Sequence, residues 1–223
     1  MKKIIILFLI TIFIFLIYNL TRDSKIYYLN IGDGIALGKN KIDQNIGYDK
    51  IIIKYLKENN KFEKYNNTYT NINYRTTDLI TMIKNNELYN NTTIQNDLIK
   101  ADIITISLGI NDLLPYGKNS IILSNEEIYE LASDFDQLFS ILRENSKEKI
   151  YFIGIYNPNL GNKYNNMING LNSILKQKSI KYEITYIDIF NDMLEQDNLE
   201  LNSIFPTEVG YKLISDKIIE LLD

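Results

Sequence analysis

The chain has 223 residues, 45% hydrophobic and 23% charged, with a formal charge of −4. That composition is globular and sized for one α/β domain, which excludes collagen-like, disulfide-scaffold and wholly disordered classes. There is no cysteine and no histidine, so Ser-His and Cys-His nucleophiles, thiol redox pairs and ordinary zinc sites are all ruled out. The acidic balance leaves no broad basic surface for phosphate backbones, and no nucleic-acid partner is expected.

From Ile4 to Leu20 the only polar residues are Thr11, Tyr18 and Asn19, with Lys2 and Lys3 before the run and Arg22 and Asp23 after it. As a helix this run is roughly 25 Å long, slightly short of a hydrocarbon core of about 30 Å but able to span it. The two lysines hold the amino terminus in the cytoplasm and leave the chain from about Ser24 onward outside. No A-x-A-like cleavage site stands near Tyr18–Arg22, so a retained anchor is expected, with secretion after signal cleavage as the alternative. Residues 1–23 are therefore read as a membrane anchor or signal segment, and residues 24–223 as one extracytoplasmic domain.

Beyond the anchor, β-rich apolar runs alternate with helical patterns. Strands are predicted at Lys25–Ile31, Tyr69–Tyr74, Asp102–Leu108, Lys149–Tyr156 and Glu183–Asp188. Helices are predicted at Tyr48–Asn59, Asp78–Asn85, Asn125–Asn145, Tyr164–Lys178 and Glu208–Leu222. Ser124 followed by Glu127 reads as a capping box opening the third helix. Thr77 reads as the cap of the second. Asn-rich runs such as Tyr65–Thr68 and Asn90–Thr93 read as polar loops, in keeping with a compositional bias toward Ile, Asn, Lys and Tyr. Alternating strands and helices predict an α/β fold: a three-layer α/β/α sandwich on a mostly parallel five-stranded sheet, flavodoxin-like. Ligands of such sheets sit beyond the carboxyl ends of the strands, which draws attention to Gly32-Asp33-Gly34, to Gly109-Ile110-Asn111-Asp112 and to the stretch before the last helix.

At those three places the chain resembles the SGNH/GDSL hydrolase family of esterases and lipases. Tyr28–Gly38, containing Gly32-Asp33-Gly34, is similar to the family's first block, a strand running into Gly-Asp-Ser. Ala101–Asp112 is similar to the third block, a strand running into Gly-x-Asn-Asp. Phe205-Pro206-Thr207-Glu208-Val209-Gly210-Tyr211 is similar to the end of the fifth, Asp-x-x-His-Pro followed by Gly-Tyr. The resemblance implies a serine nucleophile, a histidine base and an aspartate that orients it. In this chain those positions are Gly34, Phe205 and Asn202. A glycine has no oxygen to attack with, a phenyl ring accepts no proton, and a carboxamide carries no charge to steady an imidazolium. For the oxyanion hole the resemblance implies donors from the nucleophile's amide, from a second-block glycine and from the third-block Asn. Asn111 matches the last, Gly34 and Gly109 are backbone remnants, and the second block falls near Asn73 or Tyr74, neither of them glycine.

The leading expectation is thus a membrane-anchored pseudoenzyme that acts by binding, with an acylated glycan or a lipid as the ligand class the family suggests and with no cofactor or metal. A second reading is an active ester hydrolase with a relocated nucleophile or a metal. Its candidates are Ser107, a Ser-Lys pair using Lys39 or Lys41, or a cation held by Asp33 and Asp112. For the two aspartates and for Ser107 the favoured reading is structural, and Lys39 and Lys41 read as solvated charge. A third reading is an envelope interaction or scaffolding module whose cleft is plugged by Phe205 and Tyr74, beside an exposed apolar patch.

Overall fold

The computed structural model describes residues 25–40, 46–114, 122–158, 161–195, 197–200 and 203–222. The predicted anchor, Lys41 and Asn202 lie outside these residues. Among the described residues, no helix is long and apolar enough to cross a membrane.

In chain order the elements are β1 (Ile26–Gly32), α1 (Tyr48–Glu58), β2 (Phe62–Asn66), α2 (Thr76–Asn85), β3 (Leu88–Tyr89), β4 (Thr92–Thr93), α3 (Ile94–Lys100), β5 (Ile103–Ser107), α4 (Ile110–Leu113), α5 (Asn125–Asn145), β6 (Lys149–Ile153), α6 (Asn162–Lys181), β7 (Thr185–Ile187), a 3₁₀ turn (Asp192–Leu194) and α7 (Glu208–Ile219). Five strands form one sheet in the order β2-β1-β5-β6-β7, and every neighbouring pair is parallel. β3 and β4 make a separate antiparallel hairpin.

Strand side chains alternate between the two faces, and each face has its own core. Tyr27, Leu29 and Ile31 of β1, Ile104 and Ile106 of β5, and Ile150 and Phe152 of β6 pack under α2, α3, α5 and α6. Tyr28, Ile103, Tyr151, Ile153 and Ile187 pack under α1 and α7. The three-layer α/β/α architecture follows, because two apolar sheet faces each need a helical cover.

The capping box is present: Ser124 Oγ accepts the Glu127 amide at 3.2 Å, and the Glu127 carboxylate accepts the Ser124 amide at 2.7 Å. Ser124→Ala is expected to lower stability by about 1 kcal/mol in urea denaturation. A loss indistinguishable from zero would mean that the cap adds nothing to the packed helix.

Two elements differ from expectation. The strand beside β1 is Phe62–Asn66, whereas 69–74 is a loop that touches the sheet only through a bridge between Thr70 and Gly32. Asparagine side chains explain the difference. Asn66 Oδ1 accepts the Thr68 amide at 2.9 Å and Asn71 Oδ1 accepts the Asn73 amide at 3.0 Å, local turns that compete with a ladder. The second helix begins at Thr76 and not at Asp78, so Thr77 is an exposed helical residue; Arg75 precedes the helix, and its amide is bound by Asp78 at 2.9 Å.

Candidate functional site

β1 and β5 run side by side and end together at Gly32 and Ser107. A Cβ at Gly32 would sit 1.9 Å from the Ser107 carbonyl oxygen, and the residue has φ of +131°, so only glycine allows the chain to turn here. The turn brings Asp33 under the sheet end. Its amide donates to the Ser107 carbonyl at 2.9 Å, and its Oδ1 accepts from the Ile35 amide and the Ser107 hydroxyl, both at 3.0 Å. Asp33 is 1% exposed, and its Oδ2 has no hydrogen-bond partner among the described residues. Burial, helped by the charge of Asp112, pushes this carboxyl up to about 7 against the pull of those donors. Ser107 is therefore buried, with its hydroxyl donated to the Asp33 carboxyl group.

Gly34 follows, and Phe205 covers it. A Cβ at Gly34 would meet Phe205 Cε1 at 3.0 Å and Ile72 Cγ1 at 3.3 Å. The covering loop is held from several sides. The Tyr156 hydroxyl donates to the Ile204 carbonyl, the Glu200 amide donates to the Phe205 carbonyl at 3.0 Å, Leu199 bridges to Pro206, and Thr207 caps α7 through the Gly210 amide at 3.2 Å. Across the cleft, the Tyr211 hydroxyl donates to the Lys39 carbonyl at 2.8 Å, tying α7 to the loop after β1. Phe205 is 9% exposed and belongs to the core beneath α1 and α7. It is a fixed plug, and its companion at Gly34 is Ile72. Tyr74, expected as the second plug, instead packs its ring against the core of the opposite sheet face.

Asn111 sits at the start of α4, just after Gly109, whose φ of +110° and tight fit against Ile155 again demand glycine. Its amide nitrogen donates to the Ile72 carbonyl at 2.8 Å and to the Tyr74 carbonyl at 2.9 Å. Both of its hydrogens are thus used to hold the loop between β2 and α2, and none is left to aim at a developing oxyanion. Asp112 reaches the same region, accepting the Thr76 amide at 3.2 Å and the Thr76 hydroxyl at 3.1 Å. Burial raises it to about 6. The two aspartates lie close enough to repel, and each accepts hydrogen bonds from protein donors. Among the described residues no group of three or more acidic side chains forms a metal-binding cluster, and no lysine amine is hydrogen-bonded to a serine or threonine hydroxyl.

Tyr156 is the contributor that sequence reasoning missed. Nothing local marks it, because its partner is 48 residues away.

No curated protein sequence matches the chain. Solved structures share its fold at low identity. An acetylxylan esterase from Geobacillus stearothermophilus matches with TM-score 0.65 and 16% identity, covering 88% of this chain and 94% of its own. A psychrotrophic esterase from Pseudoalteromonas sp. matches with TM-score 0.62 and 15% identity, covering 88% and 96%. An α/β hydrolase enzyme from the metagenome of Lake Arreo matches with TM-score 0.64 and 15% identity, covering 88% and 94%. The model of the GDSL-like lipase/acylhydrolase family matches residues 28–218. That match spans well over half of the sequence, and the chain belongs to the GDSL-like lipase/acylhydrolase family.

Proposed function

We propose that this chain is a membrane-tethered, extracytoplasmic member of its family that has lost serine ester hydrolysis and acts by binding, as an interaction module of the cell envelope. The observation that carries this reading is the cover on Gly34. The nucleophile position has no side chain, and the ring that replaces the base lies 3.0 Å from where a Cβ would be. A side chain at position 34 would meet that ring and Ile72 in tight contact. The commitment of Asn111 to two loop carbonyls supports the same reading. Tethering rests on the apolar run Ile4–Leu20 behind Lys2 and Lys3.

The test is direct. Purified residues 24–223 are incubated with short acyl p-nitrophenyl esters and, separately, with a fluorophosphonate probe. The expected result is turnover no faster than a denatured control and no increase in mass. A covalent adduct on any serine or threonine would sink the proposal and revive an esterase with a relocated nucleophile. An acylated glycan would have to displace Phe205 to reach the strand ends, so titration with acetylated xylo-oligosaccharides is expected to release no heat. Saturable heat that disappears in Asn111→Ala would instead identify a ligand of the cleft.

A further inference from the structure

Helices α5 and α6 each follow a strand of the parallel sheet, so they run in the same direction, side by side. Their second halves are tied together, with the Lys178 and Lys181 amines 3.1 and 3.3 Å from Asp136 Oδ1. Their first halves part, leaving a groove of about 440 Å³ lined by Leu123, Ile128, Tyr129, Met167, Gly170 and Ile174.

Two features of this groove have no partner among the described residues. Tyr129, on the α5 wall, is 68% exposed. Gly170 lies in the interior of the 20-residue α6, where glycine weakens a helix, yet a Cβ built there meets nothing within 4 Å. Gly32 and Gly109 are demanded by packing and backbone; Gly170 is demanded by neither. The two stand opposite each other. Asp136 meets Lys178, so Tyr129, seven residues earlier on α5, is level with Leu171 and Gly170, seven and eight residues earlier on α6. The walls also differ in charge. The exposed side of α5 carries Glu126 and Glu130, and that of α6 carries Lys163, with Lys176 paired to Asp188 at 3.6 Å.

We propose that a second copy of this chain docks on the groove, about a two-fold axis running along it. Such an axis exchanges the walls without changing level. Each Tyr129 ring then drops into the open space over the Gly170 of the other copy, and each acidic α5 wall faces a basic α6 wall. A self-complementary patch of this kind is what an isologous dimer requires. A rigid aromatic anchor seated over a small residue, with paired charges at the rim, is the usual anatomy of a specific interface. This inference is independent of whether the cleft at Gly34 has chemistry.

The chain has no cysteine, so introduced thiols report cleanly. Full-length Tyr129→Cys and Gly170→Cys proteins, carrying different tags in detergent, are mixed and oxidised. The expected product is a disulfide-linked heterodimer formed several-fold more efficiently than when Leu88→Cys, on the exposed β3–β4 hairpin, replaces Tyr129→Cys. Sedimentation equilibrium of the unmodified chain at about 100 µM is expected to give a dimer, and Gly170→Leu is expected to give a monomer. Leucine fits the open space and favours the helix, so the melting temperature of that variant should be held or raised, which separates lost docking from lost folding. Cross-linking no better than the Leu88→Cys control, a monomeric unmodified chain, or a dimer that survives Gly170→Leu would each overturn the proposal; the last would point to association through the apolar amino-terminal run.

Discussion

Restoring the serine by Gly34→Ser is expected to destabilise the domain by roughly 2–4 kcal/mol and to produce no esterase. The new Cβ would press on Phe205 Cε1 at 3.0 Å and Ile72 Cγ1 at 3.3 Å, and overpacking of this kind costs about 1–3 kcal/mol. Taking the added hydroxyl out of water beside that ring adds to the loss. Phe205 cannot simply swing aside, since the backbone on both sides of it is hydrogen-bonded. The clash predicts a coupling. Phe205→Ala alone should cost about 3 kcal/mol or more, as loss of a buried ring does. The double variant Gly34→Ser/Phe205→Ala should be more stable than the sum of the two losses by about 1–2 kcal/mol. Urea denaturation of residues 24–223, followed by tyrosine fluorescence, measures all four corners of the cycle. Strict additivity would show that Phe205 does not press on position 34. Even Gly34→Ser/Asn202→Asp/Phe205→His should remain inactive, because the Asn111 amide stays bound to the Ile72 and Tyr74 carbonyls. Measurable ester turnover by that triple variant would show that the amide can be released.

The domain is also expected to be more stable in mild acid than at neutral pH. Asp33 is fully buried with one oxygen unpartnered, and its carboxyl rises from 3.8 in the ordinary state to about 7 in the folded one. Asp112, half-buried, rises to about 6. A carboxyl with a raised folded pKa leaves the folded state holding the proton after the unfolded chain has released it. Its stabilisation is complete below the ordinary value, falls as pH climbs, and is gone above the folded value. Two groups therefore lower stability together between about 4 and 6, and Asp33 alone continues the fall to about 7. The part due to Asp33 is on the order of 4 kcal/mol at most, from about three pH units at about 1.4 kcal/mol each. Other groups that feel this charge are Tyr156, Tyr211 and Tyr48, all of which stay protonated in the window because burial raises them. Asp33→Asn should flatten the profile between about 6 and 7 and roughly halve the slope below 6, where Asp112 alone then acts. The measurement is urea denaturation at half-unit pH steps. An unchanged slope in Asp33→Asn would remove Asp33 as the cause.

Much of the fold was legible because it is written in local periodicity. The helix Asn125–Asn145 is announced by its capping box and its apolar spacing, and β5 by five consecutive buried residues. The strand Phe62–Asn66 was not legible. Its burial alternates poorly because it lies at the sheet edge with exposed Glu63 and Lys64, and the more apolar Tyr69–Tyr74 looked the better strand. The short helix Ile94–Lys100 escaped notice because its identity depends on Asp97. That buried carboxylate gathers the hydroxyls of Tyr27 and Tyr69 and the amide of Asn66 from three other segments.

Residue identity alone determined which chemistry this protein cannot do: without imidazole or thiol, and with Gly34 and Phe205 at the ends of the relevant blocks, a serine-histidine reaction has no parts. Only the tertiary structure decided that the remaining cleft is filled, that Ile72 and not Tyr74 completes the cover, that the Asn111 amide is already used, and that Tyr129 and Gly170 face one groove. The physical reason is distance along the chain. Side-chain type and periodicity act over a few residues, whereas the contacts between Gly34 and Phe205, or between Asn111 and the Ile72 carbonyl, exist only after the sheet has brought strand ends from separate segments together.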